Sequence, residues 1–291
     1  MTARLHENCL ICGSNLLQSL RRYHAIHLVQ CGSCGFVFSQ TIPSEKELVD
    51  LYSAYGRDDY LSPVTIKRFH EILDRLDKFR KTNRMIDVGC GIGYFLEAAK
   101  ERGWDVYGTE YTDEAVAICR SKGIKMQQGK LNASNYESAS FDVLISIEVI
   151  EHINNPSEEV EHFSRIVRPG GAVYLTTPNF NSISRLLLKE KWNVLSYPEH
   201  LCYYTPRTIQ NLFSRHGFRK MKTETTGISI SRIQSSVTHT PEQSVSPTSK
   251  DEALRKTLES NKLLMLLKSL ANKMLTIFGT GDSLKATFVK Q

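Results

Sequence analysis

Four groups of residues have the types and spacing to do chemistry. The first is Cys9-x-x-Cys12 and Cys31-x-x-Cys34, with 18 residues between the pairs. That separation falls in the range of a four-thiolate zinc site, and Gly13 and Gly35 ease the tight turns that wrap a metal. Four thiolates close a tetrahedron, so the ion would be structural rather than catalytic. The second group is Met85 to Leu96, M-I-D-V-G-C-G-I-G-Y-F-L, where Asp87 precedes Gly89, Gly91 and Gly93. Such a turn lets a ligand lie against the main chain beside helix N-terminal amides. Val106–Thr109 then reads as a second strand ending in Glu110, a carboxylate placed to accept hydrogen bonds from two ribose hydroxyls. The third group is Glu148-Val149-Ile150-Glu151-His152. The fourth is Tyr197-Pro198-Glu199-His200-Leu201-Cys202-Tyr203-Tyr204, dense in titratable groups. A histidine near neutral pKa suits a general base, and an adjacent glutamate can orient it.

The elements that must position these groups alternate. Strands are expected at Arg84–Val88, Asp105–Thr109, Ile124–Gln127, Phe141–Ile147 and Ala172–Thr176. Helices are expected at Tyr94–Arg102, Asp113–Lys122 and Pro156–Val167, ended by Gly103, Gly123 and Pro169-Gly170-Gly171. The continuous apolar run F-D-V-L-I-S-I belongs in the middle of a parallel sheet. A helix at Thr205–His216 and strands at Phe218–Thr225 and Leu284–Lys290 complete the pattern. The fold class is therefore α/β: a doubly wound, seven-stranded Rossmann-like sheet, a small N-terminal zinc ribbon and a helical insertion before the last strand.

The expected division is a ribbon over 1–42, a helical connector or flap over 43–81, the sheet domain over 82–234 and 280–291, and an insertion over 235–279. In the connector, Ser44 and Glu47 fit a capping box. Tyr52, Tyr55 and Tyr60 either form a flap or pack between ribbon and core. Ile66, Phe69, Ile72, Leu73, Leu76 and Phe79 make one apolar helix face. In the insertion, Gln234–Glu252 reads as a Ser/Thr/Pro-rich mobile loop. Ala253–Phe278 reads as a long helix that packs on the domain, caps the substrate or lies on a membrane surface.

The 291 residues, 41% hydrophobic and 23% charged, suit a globular protein with a sizeable core. No signal peptide and no apolar run long enough to span a bilayer is evident. Two C-x-x-C pairs point to metal ligation in a reducing compartment, so a cytoplasmic location is expected. The net charge of +6 permits an anionic partner without requiring one.

The D-x-G-C-G-x-G-x-F string followed by Glu110 resembles the class I S-adenosylmethionine-dependent methyltransferases. The resemblance implies a cofactor site of Asp87, Gly89, Cys90, Gly91, Gly93, Glu110, Tyr111, Lys130, Leu131, Ile147 and Glu148. Tyr111 would stack on adenine. Lys130 stands where the family commonly has aspartate, leaving the main chain of Lys130 and Leu131 to meet the adenine. The E-x-x-E-H string is similar to that of ubiquinone-type O-methyltransferases, which implies a divalent ion on Glu148, Glu151 and His152, or a metal-free role for His152 beside the substrate. The ribbon together with Y-x-E-H-x-x-Y-Y is similar to deoxysugar C-methyltransferases, which places Tyr197, Glu199 and His200 at the acceptor. His200 is the leading candidate base and His152 the next. The expected partner is a small-molecule or glycan acceptor, lipid-linked ones included, methylated on oxygen or carbon. Nucleic acid is not the expected partner, because basic residues are spread rather than clustered with aromatics. The alternatives are an RNA methyltransferase whose ribbon binds RNA, and a non-catalytic module of the same fold.

Overall fold

The computed structural model describes residues 4–44, 46–48, 51, 61–228, 233 and 261–291. Tyr52, Tyr55, Tyr60 and the Gln234–Glu252 loop lie outside the described residues. The chain divides into two compact units, one of Lys67–Thr177, Ile209–Thr223 and Lys285–Gln291, the other of Met1–Ile66, Pro178–Thr208 and Glu224–Leu284.

The first of these holds the alternating core. Helix α1 (Pro63–Leu76) leads into β4 (Arg84–Val88), α2 (Tyr94–Glu101), β5 (Asp105–Glu110), α3 (Asp113–Ser121), β6 (Lys125–Gln128), β7 (Phe141–Ile147), α4 (Pro156–Ile166) and β8 (Val167–Pro178). Helix α6 (Pro206–Arg215), β10 (Phe218–Thr226) and β11 (Ser283–Lys290) complete a seven-stranded sheet of order β10-β11-β8-β7-β4-β5-β6. Strand β4 lies parallel between β5 and β7, with Asp87 level with Gly108 on one side and Ile145 on the other. The apolar run of β7 is buried on both faces, as a central parallel strand must be. On α1, Phe69, Ile72, Leu73, Leu76 and the following Phe79 pack against Met85, Phe95 and Leu96. Ile66 departs from that face and is 40% exposed.

Strand β8 begins earlier than the Pro169-Gly170-Gly171 run suggested. The register with β7 breaks between Phe141 and Val143, and the bulge turns Arg168 onto Asp142 (Nε to Oδ1, 2.5 Å). Asp142 Oδ2 accepts from the N–H groups of Lys81, Thr82 and Asn83, each at 2.7 Å. This fully buried carboxylate therefore anchors the turn that feeds β4. The N–H bonds and Arg168 outweigh burial and hold it below the usual carboxylate range.

The second unit contains β1 (Leu17–Ser19), β2 (Leu28–Cys31) and β3 (Val37–Ser39), followed by a short helix α5 (Ile183–Leu188), β9 (Cys202–Tyr203) and α7 (Lys262–Phe278). Ser44 and Glu47 do form the capping box: Glu47 N–H donates to Ser44 Oγ at 3.3 Å, and Ser44 N–H to Glu47 Oε2 at 2.8 Å. The ribbon sheet has four antiparallel strands in the order β1-β2-β3-β9. Its last strand comes from far along the chain, pairing Val37 with Tyr203 and Phe38 with Cys202. Beneath it, Tyr23, Leu28, Val37, Phe180, Trp192, Val194 and Tyr203 form a small apolar core. Among the described residues, no helix is long and apolar enough to cross a membrane.

Candidate functional site

In the sheet unit, the carboxyl end of β4 opens onto the glycine turn. Gly89 N–H and Cys90 N–H both donate to Thr109 O at 3.0 Å, which ties the turn to β5. Gly89, Gly91 and Gly93 have φ of +71°, +54° and +82°, the left-handed region that favours glycine. A Cβ on Gly89 would meet Val149 at 2.6 Å and one on Gly93 would meet Ile124 at 2.6 Å, whereas Gly91 faces open space. Two of the three glycines therefore let the turn pack, and the middle one leaves its surface bare for a ligand. Cys90 Sγ packs beneath the turn, 4.0 Å from Cys119 Sγ, so that residue offers its main chain.

Two carboxylates flank this turn. Glu110 accepts from Gly91 N–H at 3.0 Å through Oε2 and from Tyr111 N–H at 2.7 Å through Oε1. Asp87 is buried, and its Oδ1 has no hydrogen-bond partner among the described residues. Burial, and secondarily the Glu110 charge, push its pKa up to about 7. A buried acceptor without a donor costs free energy in the free protein. It fits a ligand that brings a positively charged or N–H group. Tyr111 is half exposed beside Glu110. Lys130 O accepts from Gln127 Nε2, and the Leu131 side chain is wholly buried, so Leu131 contributes no side-chain surface to a ligand.

At the end of β7, Ile147 is half-buried and Glu148 adopts φ +53°, a strained conformation for glutamate. Its N–H donates to Thr176 O at 3.0 Å and its Oε1 accepts from Thr176 Oγ1 at 2.6 Å. Glu151 Oε2 accepts from Thr177 Oγ1 at 2.9 Å, and its Oε1 lies 4.0 Å from His152 Nε2. The expected ligand trio is therefore not assembled: Glu148 is drawn to β8, and Glu148, Glu151 and His152 do not converge on one ion position among the described residues. Thr176 and Thr177, which hold both glutamates, add two residues to the site beyond those expected from the sequence. The T-T-P string at the end of an apolar strand was the available signal.

In the ribbon unit, the sulfur atoms of Cys9, Cys12, Cys31 and Cys34 all lie within 4.8 Å of one another. Cys9 and Cys34 are 3.5 Å apart, as are Cys12 and Cys31. A tetrahedron with bonds of 2.3 Å has edges of about 3.8 Å, so the four thiols fit one ion. The two halves repeat the same turn: Gly13 N–H donates to Cys9 O and Gly35 N–H to Cys31 O, both at 2.9 Å, with φ of +71° and +76° at the glycines. Burial raises the Cys9 and Cys34 thiols. At Cys31 burial also acts upward, but the N–H groups of Cys34 and Ser33 bring it down to about 7.

The same unit builds the Tyr197–Tyr204 loop onto the ribbon. Ser39 N–H donates to Leu201 O at 2.8 Å, Tyr197 meets the His27 ring edge-on at 5.4 Å, and Tyr204 lies 5.2 Å from Phe36. Burial raises the Tyr197 hydroxyl, with the Glu47 charge a smaller contribution. His200 Nδ1 lies 2.6 Å from Val194 O. A carbonyl only accepts, so Nδ1 carries the proton and Nε2 is the basic nitrogen of the neutral ring. Glu199, the residue before it, is half-buried.

These features define an open α/β sheet with a ligand turn at the carboxyl end of its first core strand. The chain belongs to a methyltransferase family: the family model described as "Methyltransferase domain" matches residues 63–223, more than half of the chain. Among curated relatives, the ubiquinone biosynthesis O-methyltransferase of Paraburkholderia phymatum is 34% identical over 110 residues, 35% of this chain and 47% of the relative. That of Leptothrix cholodnii is 27% identical over 135 residues, 44% and 56% respectively. The chain spans about half the length of the curated relatives it matches. Among solved structures, an S-adenosylmethionine-dependent methyltransferase from Archaeoglobus fulgidus aligns with TM-score 0.51 and 16% identity over 85% of this chain and 100% of its own. Phosphoethanolamine N-methyltransferase 2 of Haemonchus contortus, solved with S-adenosyl-L-methionine, aligns with TM-score 0.54 and 20% identity over 87% and 61%. At these identities the structures speak for the fold.

Proposed function

We propose that this protein transfers the methyl group of S-adenosylmethionine to a small-molecule or glycan acceptor, at oxygen or carbon, in a biosynthetic reaction. The observation that carries this reading is Glu110 closed onto the glycine turn beside Asp87, whose Oδ1 has no partner among the described residues. Glu110 would accept from the ribose hydroxyls, Asp87 would receive the amino acid end, and Tyr111 would cover the adenine. The bound cofactor supplies an electrophilic methyl carbon, and its sulfur keeps the electron pair of the bond that breaks. The acceptor supplies the electron pair of the new bond and gives up a proton.

His200, with its basic Nε2, is the residue proposed to take that proton, with Tyr197 and Glu199 shaping its loop. His152 is the alternative. The ribbon's four thiolates are proposed to hold a structural zinc ion, which would supply folding energy that a small core lacks. Because relatives include ubiquinone biosynthesis O-methyltransferases, phenolic acceptors belong in the first round of assays.

The test is calorimetric titration with S-adenosylmethionine, followed by a labelled-methyl screen of phenols, sugars, lipid-linked glycans and RNA. Binding plus label on a phenol, sugar or lipid-linked glycan supports the proposal. Absence of binding removes the enzymatic reading, and label on RNA alone replaces the acceptor class.

A further inference from the structure

Helix α7 is oriented the opposite way to a helix that helps build a core. Its inward side is polar and tightly bonded. Thr225 Oγ1 donates to Leu275 O at 2.7 Å, Thr276 Oγ1 to Thr225 O at 3.0 Å, and Gly227 N–H to Asn272 Oδ1 at 2.8 Å. Asn261 caps its start, accepting from Leu263 N–H at 2.9 Å, and Gly279 at φ +67° ends it. Most of its apolar side chains point out, Leu264 and Leu275 being half-buried. Leu263, Leu266, Leu267, Leu270, Met274 and Ile277 are each more than half exposed. With Phe278 they occupy a stripe roughly 120° wide at 3.6 residues per turn. An outward apolar stripe on a well-capped helix marks a surface that something covers.

We propose that α7 docks this protein on a lipid bilayer surface carrying anionic headgroups. Its sequence, Lys262–Phe278, holds no carboxylate. By the same geometry Lys273 flanks the stripe next to Leu266. The neighbouring α5 adds more of the same: Leu186 and Leu187 are exposed, and Lys189 and Lys191 follow them. The two helices are tied together by Ile183 N–H to Thr280 O at 3.0 Å and Asn181 Nδ2 to Gly279 O at 3.2 Å. Glu190, the one acid in this stretch, pairs with Arg22 at 3.8 Å. Leucine-rich stripes with basic flanks match an interface of acyl chains beneath phosphate headgroups. At 17 residues α7 is about 25 Å long, shorter than a bilayer core, so it lies on the surface rather than spanning.

The inference is independent of the methyl acceptor and is tested without it. The full chain is sedimented with vesicles of phosphatidylcholine and with vesicles of phosphatidylcholine mixed with phosphatidylglycerol. Pelleting with the mixed vesicles, weaker with phosphatidylcholine and falling with added salt, is the expected result. Leu266→Glu/Leu270→Glu should lower partitioning at least roughly tenfold while leaving the far-UV circular dichroism unchanged. Lys191→Glu/Lys273→Glu, which spares the stripe, should weaken pelleting on the mixed vesicles only, and keeps the test decisive should the leucine variant misfold. The proposal is overturned by no pelleting above a vesicle-free control, or by equal pelleting with both compositions. It is equally overturned if light scattering finds a dimer that the leucine variant separates while vesicles capture neither protein.

Discussion

Asp87 is buried with no donor on Oδ1 among the described residues, so its ionised form is costly in the free protein. Its folded pKa of about 7 lies above the ordinary aspartate value of 3.8. A raised pKa means that the native state holds the proton more tightly. The associated stability is full below the unfolded value and is lost as pH rises through 7. Asp87→Asn should therefore stabilise the cofactor-free protein at pH 8, by at most about 4 kcal/mol, and not at pH 4. It should weaken S-adenosylmethionine binding. Melting curves at the two pH values and calorimetry check both halves; a variant that is less stable at pH 8 would show that the carboxylate has a partner.

Glu110→Ala removes a group whose hydrogen bonds to hydroxyls are worth roughly 1.5–3 kcal/mol each, so affinity should fall at least about tenfold. Unchanged affinity would move the ribose elsewhere. His200→Ala should reduce kcat strongly while the calorimetric affinity for the cofactor stays put. Normal turnover would pass the role to His152.

At the scale of elements, the turn into β4 depends on one carboxylate. Asp142→Ala leaves three N–H groups and the Arg168 guanidinium without their partner. Denaturant unfolding should show a loss of about 3–5 kcal/mol. Because the Asp142 pKa is lowered, its contribution is present above the unfolded pKa and disappears as pH falls through the folded one. The wild-type advantage over the variant should shrink below about pH 4. An advantage constant with pH would assign the loss to packing.

For the whole molecule, the division into two units makes a calorimetric prediction. Thermal unfolding should resolve two transitions. With zinc held by the four thiolates as proposed, a strong chelator should lower one of them, because thiolate–metal bonding would then be folding energy in a ribbon this small. S-adenosylmethionine at a hundred times its Kd should raise the other by about 2.7 kcal/mol. Because β9 follows directly on the His200 loop and hydrogen-bonds to β3, chelation should also depress methyl transfer. A single transition moved by both ligands would merge the units.

Much of this was legible from residue types alone because it is local. Strand–helix alternation shows as a change of apolar period, the glycine turn as three glycines in five positions, and the thiol cluster as two pairs at a fixed spacing. Each is decided by conformations of neighbouring residues, so a short window contains the information. Tertiary structure decided what depends on distant partners. Cys202–Tyr203 became a ribbon strand because β3 had an open edge. Glu148 is bonded to Thr176 of β8 through both its N–H and its carboxylate, a partner 28 residues away. The apolar stripe of α7 was visible in the sequence as a period, but a period records that a helix has two faces and not which one meets the protein. Bonds from Thr225 and Gly227 settled that, and turned the leucines outward.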